Sequence, residues 1–130
     1  MAVKSNGVSK GVGKRAHRAA RIKVNIFKAL LKLSGNKQLD EISVDALCTD
    51  SGISKVTFFK YFPQKEDVLF YFIRIWCFDR ALELRSNNKS GMHGIYFIFE
   101  RMAETYDRYP GLVMSSLAAL ASQKRPSVPI

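Results

Sequence analysis

The stretch from Ser43 to Leu69, SVDALCTDSGISKVTFFKYFPQKEDVL, constrains this chain most, because its spacing suits two short helices joined by a tight corner. Ser43 is a side chain able to cap a free backbone N–H, and Val44, Leu47, Cys48 and Ser51 fall on one helical face behind it. Gly52 tolerates the left-handed backbone that ends a helix sharply, Ile53 is apolar enough to tuck between the helices, and Ser54 can cap the second. The pattern predicts a helix-turn-helix plan. On the second helix, about 100° per residue puts Phe58 and Phe62 on one side and Val56 and Lys60 roughly opposite. The phenyl rings are therefore expected to anchor, and the other two side chains to face outward. Lys55 and Val56 stand at the amino end, which enters a DNA major groove first in such motifs. Thr57 and Tyr61 share a flank from which hydroxyls reach phosphates.

Charge is distributed to match. Of 21 Lys and Arg, ten lie in residues 1–39, a stretch with no Asp or Glu, and the other 91 residues hold 11 bases and 11 acids. The whole formal charge of +10 thus sits beside the proposed reading unit, as expected of an electrostatic footprint for a polyanion. A solubilising tail or a cleaved targeting peptide would also be acid-poor. Against cleavage, the basic run passes without a break into Ala19, Ile22, Ile26, Ala29, Leu30 and Leu33, a stripe that the two short helices need as a third packing partner. Residues 1–13, rich in Gly, Ser and Lys, are expected to be a flexible basic arm.

These residues resemble the TetR-like transcriptional repressors, whose pattern runs roughly S/T-V-x-x-I-A-x-x-A-G-V-S-x-G-T-L/F-Y-x-Y-F-x-x-K-E-x-L. Ser43, Val44, Leu47, Gly52, Ile53, Ser54, Thr57, Phe58, Tyr61, Phe62, Lys65, Glu66 and Leu69 match it or nearly so. Cys48 stands where a small alanine is usual, Val56 where a glycine is, and Phe59 where a tyrosine is, which removes a phosphate-contacting hydroxyl. The resemblance implies a homodimer that reads a near-palindromic double-stranded operator, with a small apolar effector shifting the two reading heads. Base edges would be read by Lys55, Val56 and Lys60, and phosphates held by Ser43, Thr57, Tyr61, Lys65, Lys14, Arg15 and Arg18. It also implies that the helices after the connector sense ligand and dimerise, although the family generally has several more helices than this chain.

The remainder reads as helix. Gln64–Leu84 opens with Glu66 and Asp67, which favour a helix N-terminus, and carries Val68, Leu69, Phe72, Ile73, Trp76 and Leu84 along an apolar surface. SNNKSGMHG is expected to be a loop, Ile95–Tyr109 a helix that is apolar through Ile95, Phe99, Met102 and Tyr106, and Leu112–Ser122 a last helix before a frayed tail containing Lys124, Arg125, Pro126 and Pro129. Aromatic and Met residues at helical spacing, including Phe72, Trp76, Tyr96, Phe99 and Met102, are read first as core. A pocket for an apolar inducer and a dimer interface are the alternatives. Cys48 and Cys77, each on an apolar helix face, are expected to be reduced core thiols.

Catalytic patterns are weak. His17 and His93 are isolated, and GVGKR at residues 11–15 lacks the earlier glycine and the following hydroxyl of a phosphate loop. Carboxylates at helix starts are explained by capping. No metal, no cofactor and no enzymatic activity are expected. No apolar run approaches the roughly 20 residues that span a bilayer, so a cytoplasmic, nucleoid-associated protein is expected, with no membrane partner. The expected fold is all-α: a flexible arm over residues 1–13, a helix-turn-helix DNA-binding domain over 14–63, and a connecting helix with a partial ligand-sensing and dimerisation domain over 64–130. The expected function is sequence-specific DNA-binding regulation. The competing reading is a basic helical adaptor for an acidic protein or an anionic membrane surface, in which the reading helix is vestigial.

Overall fold

The computed structural model describes residues 7–122, and the described residues are all helix and connection. In chain order, α1 is Gly7–Ser34, a short 3-10 turn is Leu39–Glu41, α2 is Val44–Ser51, α3 is Lys55–Tyr61, α4 is Glu66–Ser86, α5 is Gly91–Arg108 and α6 is Pro110–Ala121. The all-α expectation is met.

The three N-terminal helices pack as their apolar spacing requires. Ile26, Ala29 and Leu30 of α1, Leu47 and Cys48 of α2, and Phe58 and Phe62 at α3 are buried in one cluster. Rings then extend the cluster into the rest of the chain. Phe58 meets Phe62 at 5.9 Å between centroids, Phe62 meets Tyr71 at 5.8 Å, Tyr71 meets Phe27 at 5.7 Å, and Phe27 meets Phe72 at 6.2 Å. Edge-on and tilted pairs at these distances contribute about 1 kcal/mol each beyond their buried area. α3 is thereby tied to both α4 and α1.

The core continues across residue 63 without a boundary. Val68, Leu69 and Phe72 of α4 and Leu112 and Ala119 of α6 belong to the same buried cluster as the first three helices. α6 docks on the 3-10 turn, where the Leu39 N–H donates to Ser115 Oγ at 3.0 Å. Gly111 makes this approach possible. A Cβ there would lie 1.9 Å from the Lys37 carbonyl oxygen. Neither of these contacts is local, so neither is visible in the spacing of apolar residues.

Several expected bounds move. α1 begins at Gly7, so residues 7–13 are helical where a flexible arm is expected; residues 1–6 lie outside the described residues, as do Lys124, Arg125, Pro126 and Pro129 of the expected tail. A helix already nucleated by packing propagates at little cost until proline stops it, and none occurs here. α5 begins at Gly91 rather than Ile95, and the expected loop shrinks to Asn87–Ser90. Asn88 turns the corner at φ 51°, and the Lys89 N–H returns to the Leu84 carbonyl. Gly94 is buried, its Cα facing Leu84 and the Lys89 carbonyl. Pro110 takes the first position of α6, where its missing N–H costs nothing, instead of lying between helices. Cys48 is buried as expected, whereas Cys77 is exposed and is not a core thiol.

Two outcomes follow from this packing. Gly111→Ala must push α6 off the Lys37 carbonyl, and should cost about 2 kcal/mol or more in urea unfolding, whereas Gly13→Ala, on the open part of α1, should leave stability unchanged or raise it by up to about 1 kcal/mol. A disulfide exchange reagent should label Cys77 at once and Cys48 only on unfolding, since burial also pushes the Cys48 thiol above its ordinary pKa.

Candidate nucleic-acid interface

The two caps and the corner set the geometry of this surface. Ser43 Oγ accepts the Ala46 N–H at 3.0 Å and so starts α2. Gly52 ends it in the left-handed region at φ 71°, and Ser54 Oγ accepts the Thr57 N–H at 3.1 Å to start α3. Such caps contribute about 1 kcal/mol each, which is large for helices of eight and seven residues. The angle between α2 and α3 is then held by Phe58 and Phe62 beneath.

Outward placement of the base-reading candidates agrees with the helical spacing. Lys55, Val56 and Lys60 are exposed while Phe58 is fully buried. Val56 is 82% exposed, the highest figure among the large apolar side chains described. An aliphatic side chain held so far into solvent gains nothing for the fold. Lys60 Nζ lies 5.7 Å from the Tyr61 ring centroid, which biases where it points without neutralising it.

Lys55 is not free. Its Nζ meets Asp45 Oδ1 at 2.8 Å, an ion pair between the first turns of α3 and α2 that holds the ammonium above its ordinary pKa. Asp45 was not singled out by its position in the sequence, where an acid in a first turn is explained by the helix dipole. A similar pair, Lys32 Nζ to Asp50 Oδ1 at 2.8 Å, ties α1 to α2.

The phosphate-side candidates separate into two groups. Ser43, Lys14, Arg15 and Arg18 are exposed, and residues 13–18 are exposed throughout, so the basic part of α1 runs past the core as a rod. Thr57, Tyr61 and Lys65 are half-buried. Thr57 Oγ1 accepts a hydrogen bond from Ser54 Oγ at 3.0 Å, and the Tyr61 ring packs against the core cluster. Lys65 lines a cleft with Asp40, Glu66 and Ser115, on the side where α6 docks. The structure groups Lys65 with α6 rather than with Lys55 and Lys60.

The pocket candidates also divide. Phe72 and Trp76 line a cleft of about 400 Å³ between α1, α4 and α5, in which Trp76 Nε1 donates to Thr105 Oγ1 at 2.7 Å. Arg80 and Arg101 both pair with Glu83 on its wall. Burial works against the Glu83 carboxylate, but the hydrogen bonds from Arg101 and Arg80 prevail and hold its pKa below the ordinary value. With Met102, Phe72 and Trp76 also line a smaller apolar groove of about 160 Å³ against α6. Tyr96 and Phe99 line neither and are exposed on α5, so neither is a core residue; Phe99 instead lines, with Ile95, Gly94 and Leu84, an open cleft of about 460 Å³ at the corner between α4 and α5.

Compared with protein families, with curated proteins and with solved structures, the chain matches none. Among the described residues no group of His, Cys, Asp and Glu is arranged to hold a metal ion, and no helix is long and apolar enough to cross a membrane.

Because the Asp45–Lys55 pair is exposed on both sides, Asp45→Asn should leave the unfolding midpoint nearly unchanged. Lys55 has its pKa raised on folding, so the pair's contribution is present at neutral pH and is lost only as alkali deprotonates the ammonium. A urea titration at pH 7 measures the first quantity.

Proposed function

We propose that this chain is a sequence-specific DNA-binding transcriptional regulator, a TetR-like repressor that binds a near-palindromic operator as a homodimer. The observation that carries the reading is the division of α3 into a buried face, Phe58 and Phe62, and an outward face bearing Val56 and Lys60 beside Lys55. In this reading α3 enters the major groove by its amino end. Lys60 donates to guanine O6 and N7, and Val56 meets a thymine methyl. Lys55 exchanges its bond to Asp45 for a base or a phosphate on docking.

Ser43 at the start of α2 and Lys14, Arg15 and Arg18 on the projecting part of α1 set register on phosphates, using the positive charge concentrated in residues 1–39. Two copies present their reading helices to successive major grooves, about 34 Å apart. Effector control belongs to the cleft between α1, α4 and α5, where a small ligand against Phe72 and Trp76 would shift α4 relative to α1. The protein would then act in the cytoplasm, on the nucleoid.

Fluorescence anisotropy with duplexes from upstream regions tests this. Lys60→Ala should cost about 10-fold or more on the preferred duplex and little on random DNA, whereas Arg15→Ala should weaken both alike. Raising salt from 50 to 200 mM should weaken binding by at least about 100-fold, as counterions released by several phosphate contacts require. Equal affinity for preferred and random duplexes, unchanged by Lys60→Ala, would remove the reading's specific content.

A further inference from the structure

α5 is turned the unusual way round for a helix at the edge of a core. Its inward side meets α4 through Arg101, whose Nε bonds Glu83 at 3.0 Å, and through Thr105, which accepts from Trp76. The guanidinium of Arg101 also lies 4.9 Å from the Phe97 ring centroid. Those polar contacts, with Phe97 and Gly94 buried on the same side, fix the helix's rotation. As a result the apolar stripe Ile95, Phe99, Met102 and Tyr106 faces solvent, with Phe99 63% exposed.

The stripe has the symmetry of any four-residue helical seam. Its residues follow one another at steps of four, three and four, so the series reads the same in either direction. A twofold axis across the helix between Phe99 and Met102 superimposes the stripe on itself with the helix reversed. Alternating steps of four and three are also the spacing that keeps a seam facing a partner helix. An isologous interface between two copies of one chain needs a self-complementary surface of this kind.

Area and charge agree with such a partner. α5 and α6 together carry nine large apolar side chains that are exposed, and at about 100 Å² for each half-exposed group they present roughly 900 Å². Summed over the two helices, that is of the order of the roughly 800 Å² per partner of a stable interface. Residues 91–121 hold Arg101 and Arg108 against Glu100, Glu104 and Asp107, so this region is nearly neutral while the positive excess lies in residues 1–39. Two copies can meet here without the repulsion that their N-terminal segments would impose.

We infer that a second copy of this chain docks on α5 antiparallel to it, pairing Phe99 with Met102 of the other copy and Ile95 with Tyr106, with α6 widening the contact. The inference rests on the dimeric reading above and specifies where the two copies meet. Each aromatic ring then faces an aliphatic or thioether side chain, and Phe99 gains a sulfur–aromatic contact.

Sedimentation equilibrium of the full chain should show a dimer at tens of micromolar. Phe99→Glu should weaken it by about 100-fold or more, as charging the centre of an interface does, while circular dichroism keeps its helical signal and Phe99→Leu keeps the dimer. Register is tested in a Cys77→Ser background. Mixed Phe99→Cys and Met102→Cys chains should cross-link on copper-catalysed air oxidation, well ahead of mixed Ile95→Cys and Met102→Cys chains. A chain monomeric at about 100 µM, a dimer untouched by Phe99→Glu, or equal cross-linking of the two mixtures would overturn the inference. A dimer with this register that shows no preference among duplexes would uphold it and remove the DNA-binding reading instead, so the two fail separately.

Discussion

A seven-residue helix has no independent stability in water, and α3 therefore exists only as far as Phe58 and Phe62 are buried beneath it. Everything on its outer surface depends on that burial. The two rings sit at one end of a line that runs through Tyr71 and Phe27 to Phe72, so the orientation of α3 is set by the same contacts that position α4 against α1. Close-packed rings shift between discrete arrangements more readily than they deform gradually. A change in the angle of α4 would be delivered to α3 along this line.

The second constraint is the return of α6 to the N-terminal half. Gly111 lets its backbone approach the Lys37 carbonyl, Leu112 is fully buried, and Ser115 receives the Leu39 N–H. The first three helices and those that follow them are thus parts of one core, which runs across residue 63, where the expected DNA-binding domain ends. This return also uses up the inward face of α6, and α5 is anchored by ion pairs and hydrogen bonds. Their remaining apolar surface is left on the outside.

The α2–α3 segment was legible because its determinants are local. Ser43, Gly52 and Ser54 act through hydrogen bonds and dihedrals within four residues, and Phe58 and Phe62 share a face by helical spacing alone. Cys77, Tyr96 and Phe99 were misplaced for the converse reason. α5 carries apolar residues on more than one side, and periodicity does not say that Phe97 and Gly94, rather than Ile95 and Phe99, are the ones that turn inward. Arg101 and Thr105, polar residues that would ordinarily be assigned to solvent, decided that by finding Glu83 and Trp76 on α4. Gly91 and Gly94, read as loop material, belong to a helix: Gly91 opens it with a left-handed φ of 55°, and Gly94 lies against Leu84 and the Lys89 carbonyl.

From its sequence alone, this chain determines its helices, their caps, the corner at Gly52, the outward side of α3 and the concentration of positive charge in residues 1–39, since each depends on neighbours along the chain or on simple counting. Tertiary structure alone decides that Lys55 is held by Asp45, that Lys65 sides with α6, and that α5 shows its apolar stripe to solvent. Those outcomes are settled between residues distant in the chain, where competing contacts of similar strength differ only in whether the folded backbone brings the groups within reach.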